Sequence, residues 1–159
     1  MFLSDCGIEC IFYDFDGVMT DNCVWVREDG VEEVKCNRSD GLAVKLISEM
    51  GIDQVIVSTE ENPIVVHRAK KMGIKVYHHV DNKASVIESY CDEKGYSMSN
   101  TMFVGNDIND LPAFDVVKIK GCPADAEEEI VNSADWISKS NGGDGVVRDL
   151  YRCLVQGVE

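Results

Sequence analysis

IECIFYDFDGVMTDN, residues 8–22, begins as an apolar strand and ends by setting Asp14 and Asp16 two residues apart, with Gly17 straight after them. Strands of a parallel sheet are buried on both faces and read as near-continuous apolar runs. In such sheets functional groups gather where the strands end. Two carboxylates at that position are a candidate site, provided the rest of the chain supplies the sheet.

Working outward, VWVREDGVEEVKC (24–36) has two short β-leaning arms around Asp29-Gly30, a pair that favours a two-residue type I′ turn. A hairpin is therefore expected over about residues 22–37, ahead of the first helix. DGLAVKLISEMG (40–51) has apolar residues at helical spacing and stops at a glycine, and DQVIVST (53–59) reads as a buried strand. Asn62-Pro63 is a helix start, since Asn caps free amides and Pro in the first turn loses no hydrogen bond; that helix runs to Met72 and stops at Gly73. IKVYHHV (74–80), a helix from about Asn82 to Lys94, and TMFVGNDIND (101–110) repeat the alternation. DVVKIKG (115–121), a helix over DAEEEIVNSA (125–134), DWIS (135–138) and a helix over GVVRDLYRCLV (145–155) complete it. Strands alternating with helices through short loops predict an α/β, doubly wound parallel sheet in a single domain spanning residues 1–159.

Composition narrows the chemistry. Fifteen Lys and Arg against 29 Asp and Glu give a formal charge of -14, with no basic cluster, which disfavours nucleic acid and anionic membrane as partners. Seven cysteines without a CxxC pair lie mostly beside apolar runs, as reduced thiols do, and no apolar run approaches the length of a membrane helix. A cytoplasmic protein is expected. An anionic substrate would have to be met by a metal ion or by a few placed Lys and Arg.

The strand ends present Asp14 and Asp16, Ser58 and Thr59, and Asn106 and Asp107, with Lys83 at a helix start. Carboxylates converging at one sheet edge repel one another unless a hard cation bridges them, and Mg²⁺ suits carboxylates, water and a phosphate. Asp14 and Asp107 are the expected side-chain ligands. With the phosphate neutralised, Asp14 can act as a nucleophile, and hydrolysis splits into two easier steps. Asp16, two residues on at the turn, can serve as general acid and then general base. Ser58 can donate to a phosphate oxygen, and Lys83 can offset charge on nucleophile and phosphate. His67, His78 and His79 read as structural or surface residues.

DFDGVMTDN, VSTE, the lysine of DNKASV and GNDINDLPAF resemble the four motifs of the haloacid dehalogenase superfamily of aspartate-nucleophile phosphatases. The resemblance implies Asp14 as nucleophile and Mg²⁺ ligand, Asp16 as acid/base and as a ligand through its main-chain carbonyl, Ser58 and Lys83 on the phosphate, and Asp107 as ligand. Asp110 matches a second acidic position whose role is left open. Thr59 stands where the family usually has glycine, and it joins Asn106 among the substrate-binding candidates.

Both places where that superfamily inserts a cap domain are short here, one a hairpin and the other a helix. The chain resembles a capless subfamily, the 3-deoxy-octulosonate 8-phosphate and nonulosonate 9-phosphate phosphatases. That implies a homotetramer in which a neighbouring subunit covers the site, with Arg68 and Lys71 reaching the sugar-acid phosphate's carboxylate across the interface and Glu60 near its hydroxyls. Glu60 with Lys71 points to a nonulosonate (KDN or sialic-acid type) 9-phosphate, with octulosonate 8-phosphate as the alternative. Two other classes compete. A phospho-acceptor receiver domain would place its phosphorylated Asp after a later strand. An assembly domain associated with CMP-sialic acid synthesis would have no need of every catalytic residue type.

Overall fold

A computed structural model describes residues 3–156. Strand β1 (Cys10–Tyr13) is fully buried and lies between β4 (Asp53–Val57) and β6 (Thr101–Val104), paired in parallel with both. With β5 (Lys75–Tyr77), β7 (Ile119–Cys122) and β8 (Trp136–Ile137) they form one parallel sheet in the order β5-β4-β1-β6-β7-β8. The first strand is thus central and the chain winds away from it in both directions, as the alternation predicts.

The two faces of the pleat carry separate cores. Ile11, Tyr13, Ile56, Met102 and Val104 point to one face, where α1 (Arg38–Glu49), α2 (Ile64–Met72) and α6 (Val146–Val155) pack. Cys10, Phe12, Val55, Val57 and Phe103 point to the other, against α3 (Lys83–Lys94), α4 (Leu111–Val116) and α5 (Glu128–Ser133). Alternate residues of one strand serve opposite cores because strand side chains alternate faces. Asn37 and Asn82 cap α1 and α3 by accepting from the N–H groups of Ser39 and Ser85, and the Asn62 side chain accepts from Ile64 N at the start of α2.

Two expectations need correction. The 115–121 strand begins only at Ile119; Asp115 and Val116 finish α4, a helix that starts at Leu111 with Pro112 in its first turn and buries Ala113 and Phe114. The hairpin exists as β2 (Trp25–Val26) against β3 (Glu32–Glu33), but its turn is not type I′. That type needs left-handed backbone at both central residues. Only Gly30 has it, at φ +82°, while the Asp29 carboxylate accepts from Val31 N. The Arg27 carbonyl accepts from Gly30 N and Arg27 N donates to the Val31 carbonyl, which makes a three-residue loop closed by the glycine.

No cap domain occurs among the described residues: a hairpin follows β1 and a single helix follows β4. Nor is any described helix long and apolar enough to cross a membrane.

Candidate active site

Register brings the site together. Tyr13 pairs with both Ile56 and Val104, so β1 and β6 finish level and β4 runs one residue further. Asp14, Ser58 and Asn106 leave the sheet at the same edge. There a cleft of about 230 Å³ is lined by Asp14, Asp16, Asn22, Ser58, Thr59, Glu60, Asn106, Asp107 and Asn109.

Behind the cleft lies a buried ion-pair triad. Lys83 Nζ is 2.9 Å from Asp14 Oδ1 and 2.6 Å from Asp110 Oδ1. Asp14 Oδ1 also accepts from Phe15 N at 2.7 Å, which fixes the side chain against its own backbone. Asp110 is wholly buried, and its other oxygen accepts from Asn106 N at 2.9 Å and Asp107 N at 3.4 Å. Asp110 therefore folds the Gly105–Asp110 loop back on itself while anchoring Lys83. Gly105 makes this possible, since a Cβ there would lie 2.4 Å from Asp110 Oδ2. Gly17 does the same for Asn106, whose amide would collide with any larger residue at that position.

The electrostatics favour an added cation. Burial pushes the Asp14 carboxyl up to about 7, the Asp110 charge pushes the same way, and Lys83 only partly offsets them. Burial pulls Lys83 down, but Asp14 and Asp110 outweigh it and hold the ammonium above its ordinary value. Burial raises Asp16 as well, opposed by the Thr20 hydroxyl and reinforced by Glu60. Five carboxylates, Asp14, Asp16, Glu60, Asp107 and Asp110, gather at this edge with one buried ammonium, Lys83, which pairs with Asp14 and Asp110. The Asn106 Oδ1 is buried without a hydrogen-bond partner. Among the described residues no three His, Cys, Asp or Glu side chains converge as a metal cage. Two carboxylates and a main-chain carbonyl, completed by water and phosphate oxygens, are a common way of holding Mg²⁺, so the donor set fits.

The residues singled out from the sequence divide into three groups. Asp14, Asp16, Ser58, Thr59, Glu60, Asn106 and Asp107 share the cleft. Lys83 lies beneath it, paired with Asp14 and Asp110. Arg68 and Lys71 lie elsewhere, in a groove of about 590 Å³ that also takes Cys36, Arg38 and Lys45. Arg68 Nη2 donates to the Asn37 carbonyl at 2.9 Å. Sequence reasoning passed over Asn22 and Asn109 in the cleft and Arg38 and Lys45 in the groove. Asn22 adopts φ +63°, and its position just past the Asp14–Thr20 stretch was the signal available for it.

A parallel, doubly wound sheet with convergent carboxylates, a hydroxyl and a buried lysine at its carboxyl edge is an arrangement suited to phosphoryl transfer. The chain belongs to the haloacid dehalogenase-like hydrolases, whose family pattern matches residues 43–150. That segment carries Ser58, Lys83 and Asp107 and begins after the Asp14–Asp16 loop. Among its relatives is the 3-deoxy-D-manno-octulosonate 8-phosphate phosphatase KdsC of Haemophilus influenzae, 27% identical over 94% of this chain and 84% of the relative. The structure of a HAD family hydrolase from Streptomyces avermitilis superposes with a TM-score of 0.92 at 35% identity, over 96% of this chain and 87% of that one. The cobalt-bound form of the Haemophilus influenzae deoxy-D-mannose-octulosonate 8-phosphate phosphatase superposes at 0.90 with 25% identity, over 98% and 91%.

Proposed function

We propose that this haloacid dehalogenase-family phosphatase hydrolyses a 3-deoxy sugar-acid phosphate through an aspartyl-phosphate on Asp14. The observation that carries the reading is the single cleft into which Asp14, Asp16, Ser58, Asn106 and Asp107 converge above the Lys83 ion pairs. Asp14 attacks phosphorus, the ester P–O bond breaks, and the departing alkoxide takes a proton from Asp16. Water then attacks the phosphoryl group and gives its proton to Asp16, which frees phosphate and restores Asp14. Asp14, Asp107 and the Asp16 carbonyl would hold Mg²⁺, which supplies charge neutralisation of the phosphate when bound. Ser58 donates to a phosphate oxygen, and Lys83 keeps Asp14 oriented.

The names of the relatives support octulosonate 8-phosphate ahead of the nonulosonate 9-phosphate expected from Glu60 and Lys71. Glu60 in the cleft keeps the second reading alive, because a carboxylate there can accept from sugar hydroxyls. The carboxylate of either substrate needs a positive partner, and Arg68 and Lys71 lie in a separate groove of their own chain. We take that as support for a homotetramer in which these residues, with Arg38 and Lys45, serve a neighbour's site.

The deciding experiment measures phosphate release from octulosonate 8-phosphate and from nonulosonate 9-phosphates, with Mg²⁺ and with EDTA. Faster release from the octulosonate ester is expected, abolished by EDTA and reduced by about 10³-fold or more in Asp14→Asn. Preference for the nonulosonate ester would move the substrate to the Glu60 reading. Turnover of neither, or full activity of Asp14→Asn, overturns the proposal.

A further inference from the structure

We propose that Thr20 is a positioning residue for the proton-transfer step, its hydroxyl holding Asp16 by Oδ1 and leaving the other carboxyl oxygen to the substrate. This rests on the reading of Asp16 as the general acid and base.

Thr20 is fully buried, and it does not line the cleft. Its Oγ1 lies 3.2 Å from each of three groups: Gly17 N, Asn22 N and Asp16 Oδ1. A hydroxyl has one proton and two lone pairs. The two N–H groups can only donate, so they occupy both lone pairs. The single proton is left with one destination, Asp16 Oδ1. The direction of this bond is thus dictated by the two amides.

The same oxygen ties the start of the Asp16–Asn22 loop to its end, and a second element braces the loop from outside. Gly143 N donates to the Val18 carbonyl at 3.1 Å, and Gly142 N donates to Asp125 Oδ1 at 2.8 Å. Gly142 packs so tightly on the loop that a Cβ would sit 2.2 Å from the Gly17 carbonyl oxygen. With the backbone braced, the remaining freedom of Asp16 is rotation of its side chain, and Thr20 restrains that. Proton transfer to a departing alkoxide requires hydrogen-bond reach at the moment the ester bond breaks. A misplacement of about 1 Å can cost on the order of a hundredfold in rate.

The test compares kcat/KM for an alkyl phosphate, whose leaving group needs a proton, with p-nitrophenyl phosphate, whose leaving group does not. Because kcat/KM reports steps only up to leaving-group departure, the later attack of water does not obscure the comparison. Thr20→Val should lose about ten- to a hundredfold on the alkyl ester and less than about threefold on the aryl ester, while Thr20→Ser keeps both. If Thr20→Val fails to fold, Thr20→Cys supplies the same comparison with a weak donor. Equal losses on the two esters, as a purely structural stitch would give, overturn the proposal, and so does no loss on either. Asp16→Asn run alongside separates the two levels. If it shows the alkyl-selective loss and Thr20→Val does not, the positioning role alone fails; if it shows no selective loss, the acid reading fails first.

Discussion

Lys83 Nζ is held between two carboxylates with its side chain 1% exposed, so the ammonium and both acids depend on one another. Breaking a buried pair by removing one partner leaves charge without compensation and costs about 3–5 kcal/mol. Lys83→Met should therefore lower the unfolding free energy by roughly that amount in a urea titration, apart from its effect on turnover. A loss below about 1 kcal/mol would mean that the carboxylates find other partners or neutralise without cost. The strand end marked Asp107, and the resemblance of GNDINDLPAF to the family's last motif brought in Asp110. The role of Asp110 was not legible, because its contact with Lys83 spans 27 residues and exists only once α3 and β6 are adjacent.

At the scale of elements, Gly142 and Gly143 back the Asp16–Asn22 loop from one side. A methyl group at position 142 has nowhere to go, since the Gly17 and Thr20 carbonyl oxygens would lie at 2.2 and 2.9 Å. Gly142→Ala should cost about 1–3 kcal/mol through overpacking and lower turnover together with thermal stability. A variant with unchanged melting temperature and activity would show that the two segments can separate freely.

Asp40, in the first turn of α1, reaches across to the start of α6, where its Oδ1 accepts from Arg148 N at 3.0 Å. Burial pushes its carboxyl up to about 6 from the ordinary 3.8, while the N–H groups of Arg148 and Val147 and the charge of Arg68 pull it down. Because the folded value is the higher one, the fold binds more protons than the unfolded chain between about pH 4 and 6, and this group's contribution falls as pH rises through that window. The stability of wild type relative to Asp40→Asn should therefore drop by about 2 kcal/mol between pH 4 and 6.5, read from denaturation midpoints. A flat difference would show that Asp40 titrates normally in the fold.

Taken whole, the molecule leaves an apolar ribbon in water. Trp25 is 73% exposed and Val26 65%, with Val24 and Val31 also open. A two-stranded hairpin is marginal alone; its base is tied to its own domain by the Thr20–Cys36 bridge, the Lys35–Asp21 ion pair and the packing of Val34 and Cys36 on the core, while its tip stays open. In the proposed homotetramer this ribbon would be buried against other copies. Trp25→Ser should then shift sedimentation from tetramer toward monomer and lower turnover of the sugar-acid phosphate. A fully active wild-type monomer would overturn the shared cap.

Apolar runs ending in DxDG, Ser and GND were sufficient by themselves to determine the parallel sheet, the strand edge that bears the site, and most of the residues in it. Strand burial and alternation are local properties, written into consecutive side chains. The hairpin turn, helix α4, the buried Lys83–Asp110 pair, the Thr20 hydroxyl beneath Asp16 and the separation of Arg68 from the cleft were decided only by tertiary structure. Each depends on which groups lie opposite one another after the chain has wound both ways from β1. Two carboxylates at a strand end mark a place for chemistry, but packing selects which of them meets a lysine and which a hydroxyl.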